Sequence, residues 1–337
     1  MARRNYRYRR SKRLKNRRIV RGVMKLTMLF LISSILALGT IKSTIVLSSI
    51  TSTNIKEETS INTEDDNLEQ NNKEENLDKN NISNNNIIDE IENNNSSKEG
   101  SAYLSLSEDI NATDAREVQN MLTSWNYLRE DGKKIAYLTF DDGPSEHVTD
   151  EILDILKEKE VKATFFVLGS EVEHSDSAKR AFKRIIEEGH AIGNHGYCHR
   201  YDVLYPNGIV DVNAFMADMK KSEDVMKSVA GPDFKTNIIR FPGGHGSWNT
   251  TAIDNVLRDQ GYSYIDWNAL NGDAEGQDLS TEQLLNRLKE SVSDLAGNDD
   301  VLVILMHDTD AKESTAQYLR DAIDYLRSLG YEFKTLK

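Results

Sequence analysis

Thr139-Phe140-Asp141-Asp142-Gly143-Pro144 follows directly on Lys134-Ile135-Ala136-Tyr137-Leu138, and this junction decides the fold. The run before it has the apolar, β-branched and aromatic character of a strand, and Gly-Pro closes it. Two adjacent carboxylates at a strand end are costly to bury as core. Facing a cleft they can divide labour, one binding a metal and the other handling a proton.

Outward from that strand, strand-like and helix-like segments alternate. The patterns predict strands at 134–140, 162–168, 190–194, 237–241, 262–267, 301–307 and 331–336. Helical patterns lie between them at about 147–158, 175–188, 213–229, 250–260, 281–295 and 312–329, and a short helix from Asp114 to about Tyr127 precedes the set. Thr251 to Asp259 and Thr315 to Ser328 carry the apolar spacing of amphipathic helices. Such alternation implies an α/β fold of parallel strands with helices packed outside, either a barrel or an open sheet. In both forms functional residues gather at the carboxyl ends of strands.

The segments before this region differ sharply from it. Residues 1–25 hold twelve Lys/Arg and no acid, whereas the whole chain of 337 residues has a formal charge of −13. Residues 26–50 are apolar or small but for Lys42, with sixteen uncharged residues from Leu26 to Ile41. That run is somewhat short of the ~20 residues that span a bilayer, and a snorkelling Lys42 extends it. The basic flank predicts a cytoplasmic arm (1–25), a single-pass membrane anchor in contact with lipid (26–50) and an extracellular remainder. A cleaved signal peptide ending near Ala37-Leu38-Gly39 is the competing reading, disfavoured by the long basic region. Residues 51–100 contain fourteen Asn and thirteen Asp/Glu, with no aromatic residue and no proline. This composition predicts a disordered tether, roughly 40 Å end to end as a loose coil. Residues 101–131 are transitional, and 132–337 form the expected catalytic domain. Its acidic balance argues against nucleic acid as a partner. One cysteine, Cys198, excludes an intramolecular disulfide.

Three further motifs carry chemistry. His195-Gly196-Tyr197-Cys198-His199 places two imidazoles four residues apart after Gly193-Asn194, a spacing suited to one metal though weak alone. With Asp142 it makes a two-His, one-carboxylate set that suits catalytic zinc and also ferrous iron. Arg240-Phe241-Pro242-Gly243-Gly244 offers a guanidinium that can hold a carboxylate by bidentate hydrogen bonds. His307 ends the apolar run Val301-Leu302-Val303-Ile304-Leu305-Met306. It is either a satisfied core histidine or a general acid at the cleft edge, and the following Asp308 favours the edge. His147, His174, His190 and His245 read as surface or structural, with His245 near enough to the glycine turn to touch substrate.

Together these segments resemble the polysaccharide deacetylase family, the fourth family of carbohydrate esterases, over roughly residues 132–337 and in all five of its motif regions. The resemblance implies a distorted (β/α) barrel of about seven parallel strands. It implies Asp141 as catalytic base, Asp142, His195 and His199 as metal ligands, and Arg240 as the group that positions the base. It also implies His307 as acid, Leu305 as a wall of the acetyl pocket, and a divalent cofactor, most simply Zn2+. The chain departs from the pattern twice. Gly196 stands where Ser or Thr usually follows the first histidine, and Ala274 where an aromatic usually follows an Asp. That Asp is read as Asp273, ahead of Asp266, with the role of tuning His307. Loss of the aromatic wall is expected to widen the acetyl pocket unless Trp267 or another side chain fills it, and a backbone N–H near Gly243 is the expected oxyanion donor. Anchor, tether and outward domain suit peptidoglycan, deacetylated at N-acetylglucosamine or N-acetylmuramic acid. An O-acetyl esterase acting on xylan and a chitooligosaccharide deacetylase are the alternatives. Nothing in the sequence calls for an obligate protein partner.

Overall fold

The computed structural model describes residues 103–276 and 278–337. The basic arm, apolar segment and tether expected at 1–25, 26–50 and 51–100 lie outside the described residues, as do 101 and 102. Strand β1 (Ala112–Thr113) and helix α1 (Ala115–Ser124) come first, followed by β2 (Lys134–Asp141), which ends on the first acid. Next are α2 (Val148–Glu158), β3 (Thr164–Val167), α3 (Gly169–His174), α4 (Asp176–Glu187) and β4 (Ala191–Asn194). After a one-turn α5 (Tyr201–Leu204) come α6 (Val212–Ala230), β5 (Ile238–Ile239), α7 (Thr251–Asp259), β6 (Ser263–Tyr264) and β7 (Ala269–Leu270). The chain closes with α8 (Thr281–Ser293), β8 (Val301–His307), α9 (Glu313–Ser328), β9 (Tyr331–Phe333) and β10 (Thr335–Leu336).

Seven strands lie in the order β6-β5-β4-β3-β2-β8-β7, and β9 pairs with the start of β2. Every pairing is parallel. The sheet curls, because Ile265 just past β6 shares one buried cluster with Val301 and Val303 of β8, Tyr137, Phe166 and Ile238. Among the described residues no ladder joins β6 to β7, so the barrel is incomplete. β7, absent from the sequence pattern, is a two-residue strand preceded by Asn268, whose side chain donates to the Val301 carbonyl and accepts from the Val303 N–H, each at 2.8 Å. The amide extends the edge of β8 where the ladder would otherwise stop.

Period-two alternation then decides which side chains reach the site. Ile135 and Tyr137 face the inner cluster, while Ala136, Leu138 and Phe140 enter the outer core beneath the helices. Thr139 and Asp141 therefore share the inner face. On β8, Val301 and Val303 point inward and Leu302, Ile304 and Met306 outward, which leaves Leu305 and His307 on the inner face. Asp141 and His307 are register partners on these adjacent strands.

The expected boundary at 132 falls inside this fold. Ala115, Val118, Leu122 and Tyr127 belong to the inner cluster, and β1 pairs with β10. The transitional segment thus packs against the same inner cluster. Among the described residues no helix is long and apolar enough to cross a membrane.

Candidate active site

β2 delivers the acidic pair to the carboxyl edge of the sheet, and backbone hydrogen bonds fix it there. The Asp142 N–H donates to the Phe166 carbonyl, and the Asp308 N–H to that of Asp141. Asp142 adopts φ 72°, a left-handed conformation that Asp tolerates better than most residues. The chain thereby turns sharply after Asp141, and the two neighbouring acids reach different partners.

Asp141 is buried, and its Oδ1 accepts from Arg240 Nη1 at 2.7 Å. Its Oδ2 faces His195 Nε2 at 3.8 Å. Arg240 is fully buried just past β5, with its donors spread over several acceptors. Nη1 also donates to Thr139 Oγ1 at 2.8 Å and Nε to the Ile265 carbonyl at 2.8 Å, and the guanidinium stacks 4.1 Å from the Phe166 ring centroid. The bidentate grip expected from the sequence is not made. One guanidinium nitrogen holds the carboxylate, and the others tie the arginine to backbone on the far side of the curl.

Asp142, His195 and His199 bring one ligand atom each to within 4.8 Å of one another. Asp142 Oδ1 lies 3.3 Å from His195 Nε2 and 3.6 Å from His199 Nε2. It is buried, without a hydrogen-bond partner among the described residues. His195 Nδ1 lies 2.9 Å from the Arg240 carbonyl, so Nδ1 carries the proton and Nε2 presents its lone pair to the cluster. Burial opposes charge on Asp142, yet with no cation in the group the protonated forms of His195, His199 and His307 outweigh it and hold the carboxyl far below the ordinary range. An orphaned carboxylate oxygen facing two imidazole nitrogens fits a divalent cation with open positions.

His307 projects from the end of β8 and contacts Asp273, not Asp266. Its Nδ1 lies 2.8 Å from Asp273 Oδ1, and its backbone N–H donates to Oδ2 at 2.8 Å. Asp273 is fixed further by Thr315 Oγ1 at 2.9 Å and Asn271 Nδ2 at 3.2 Å. Burial alone would lower the His307 pKa, but Asp273, with help from Asp141 and Asp142, raises it to about 9. Asp266 is spent elsewhere, accepting the His245 N–H at 3.0 Å.

The glycine turn lies between aromatic rings. A Cβ on Gly244 would fall 2.8 Å from the Trp267 ring, and one on Gly243 would fall 3.2 Å from both Trp248 and the Tyr201 hydroxyl. Trp267 thus packs on the turn beside Arg240, its ring centroid 5.7 Å from the guanidinium. The Gly243 N–H has no partner among the described hydrogen bonds. Leu305 is half-buried on the inner face of β8, level in the ladder with Thr139.

Three features escape a reading of the sequence. Asp308 is buried behind Gly143, receives Thr149 Oγ1 at 2.7 Å, and is pushed up to about 7 by burial and the neighbouring acids. Tyr201, half exposed, lays its ring 5.1 Å from that of His199. Asp218 of α6 reaches the histidine loop. Only Asp308 has a signal in the sequence, its adjacency to His307. A second group of ligand-type atoms, Glu146, His147 and Asp310, is more exposed. There the Asp310 carboxylate accepts backbone N–H groups at the start of α2, which is the work of a helix cap.

Comparison with known proteins agrees with this geometry. A sequence model of the polysaccharide deacetylase family matches residues 128–265. YheN of Bacillus subtilis, named for that family, is 35% identical over 211 residues, covering 61% of this chain and 68% of its own. A Bacillus cereus protein named peptidoglycan-N-acetylglucosamine deacetylase is 31% identical over 212 residues, covering 60% and 69%. The solved structure of a Streptococcus mutans CE4 esterase superposes with a TM-score of 0.61 at 37% identity, covering 67% of this chain and 92% of that one.

Proposed function

The chain belongs to the polysaccharide deacetylase family, and on that premise we propose that it hydrolyses N-acetyl groups on cell-wall glycan, foremost the N-acetylglucosamine of peptidoglycan. N-acetylmuramic acid is the next candidate. One observation carries the reading. Asp141 and His307 stand side by side at the carboxyl edge of the sheet on register-paired strands, with the Asp142–His195–His199 group beside them. The Bacillus cereus relative supports the choice of glycan.

Asp142, His195 and His199 would hold a divalent cation, zinc in the simplest case, which would supply Lewis-acid polarisation and a water of lowered pKa. The remaining work belongs to this chain. Asp141, held by Arg240 at Oδ1, uses Oδ2 to take the proton of the attacking water. The Gly243 N–H is a free donor for the oxygen of the tetrahedral adduct. An amine departs badly as an anion, so His307 delivers a proton from Nε2 while Asp273 at Nδ1 steadies the imidazolium. Leu305 and Trp267 are the apolar surfaces that receive the acetyl group and the sugar. The order of basic arm, apolar segment and acidic tether supports a single-pass cell-membrane protein whose catalytic domain works outside, within reach of the wall.

The test is acetate release by the zinc-loaded protein from peptidoglycan, chitooligosaccharides and acetylated xylan, beside its Asp141→Asn variant. Peptidoglycan is the expected substrate, and the variant should lose about 10²–10⁴-fold in kcat. Release from xylan alone overturns the choice of glycan. An unchanged rate in the variant removes Asp141 from the role of base.

A further inference from the structure

Between the two histidines, the backbone groups of Gly196 and Tyr197 are all engaged by the protein. The Gly196 N–H donates to Asn194 Oδ1 at 2.8 Å, and the Gly196 and Tyr197 carbonyls accept from Gly169 and Ser170 at the start of α3. The Tyr197 N–H goes to Asp218 Oδ2 at 2.7 Å. Asp218 lies on α6, about twenty residues further along the chain, and its other oxygen receives the Cys198 thiol at 3.0 Å. One carboxylate therefore accepts from two consecutive residues of a loop that carries a ligand at each end.

Space at the loop is shared with that carboxylate. Gly196 has φ +89°, and a Cβ there would fall 2.5 Å from Asp218 Oδ2. The carboxylate thus occupies the volume and the hydrogen-bonding position that a short side chain at 196 would otherwise have. α6 adds two further contacts. The Met219 carbonyl accepts from Asn194 Nδ2 at 2.9 Å, and Lys221 Nζ lies 3.4 Å from the Tyr197 ring centroid. The helix cannot shift without moving the strand end and loop that aim His195 and His199.

We propose that Asp218 is a positioning residue for the metal group, bracing from α6 the loop that carries His195 and His199 in place of a side chain at Gly196. It touches neither ligand nitrogen and acts through the loop backbone. The inference rests on Asp142, His195 and His199 holding a divalent cation. Partners that orient metal ligands typically change affinity by about 10–100-fold when removed.

Zinc titration of the metal-stripped full-length protein by competition with a chromophoric chelator tests this without relying on turnover. Asp218→Ala is expected to raise the zinc Kd by about 10–100-fold while the melting temperature of the metal-free protein stays within a few degrees of the parent. Asp218→Asn, which keeps an acceptor for the Tyr197 N–H, should recover most of the affinity. Asp224→Ala, an exposed acid on the same helix paired with Lys220, should leave zinc binding unchanged. An unaltered Kd in Asp218→Ala overturns the proposal, as does a loss that Asp218→Asn shares in full. Should Asp218→Ala fail to fold, Asp218→Ser decides by the same criterion. If the parent itself binds no zinc, the reading of the metal group falls first, and the bracing role with it.

Discussion

At the scale of single residues the division between the two acids follows from geometry rather than residue type. Asp141 continues the inward alternation of β2, whereas Asp142 leaves it through a left-handed turn and so meets the histidines. His307 has its own carboxylate in Asp273, and this makes a pH prediction with a definite sign. Its folded pKa is raised to about 9, so its acid form persists through neutral pH and is lost as pH rises through about 9. The stability contributed by its pairing with Asp273 is complete below the ordinary histidine value near 6.5 and fades over the same rise. Asp273→Asn should draw the alkaline limb of the kcat profile down toward 6.5, and a limb that stays put would assign it to another group. The acids and histidines at strand ends are legible in the sequence because polar residues there interrupt an apolar period. The choice of Asp273 over Asp266 is less so, since both follow β6 and only the fold shows which one β8 meets. Asp218 leaves no trace in the sequence: it is one acid of several on α6, and its partner lies in a different loop.

At the scale of elements the support for Arg240 runs across three strands. Gly193 of β4 lies opposite Phe166 of β3 in the ladder, and a Cβ there would fall 2.4 Å from the Phe166 ring. That ring in turn carries the Arg240 guanidinium. Gly193→Ala is therefore expected to push the ring into the arginine, costing about 1–3 kcal/mol and lowering kcat with it. Phe166→Leu in the same chain, by vacating space, should restore part of the melting temperature. Two independent, additive losses would show that the glycine and the ring are not in contact. Element order is readable from hydrophobic period over β2, β8 and the long helices. The two-residue β7 is not, because two residues carry no period, and its pairing relies on Asn268 beside it.

At the scale of the molecule, the described chain is tied end to end. β1 pairs with β10, and Lys337 Nζ lies 2.9 Å from Asp109 Oδ2, with both side chains buried. The same amine donates to the Leu104 carbonyl at 2.6 Å. Removing one partner of a buried pair strands the other, at about 3–5 kcal/mol. Lys337→Ala should lower the unfolding free energy in urea by an amount of that order, and adding Asp109→Asn should return a good part of it. A loss below about 1 kcal/mol would mean that the pair is solvated and the closure rests on β1 and β10 alone.

The rung shared by Asp141 and His307 has a consequence for how such a protein can diversify. Neighbouring strands stand about 4.8 Å apart, so the spacing of the Asp141 and His307 backbones is set by the sheet itself, and Arg240 and Asp273 need only aim the two side chains. Segments that do not bear on His199, Gly243 or Asp273 can be exchanged or lengthened to fit a different polymer without moving that rung. Chimeras grafted at those segments should shift KM across glycans while kcat on a minimal acetylated sugar holds steady, which makes this edge of the barrel a natural place to engineer selectivity.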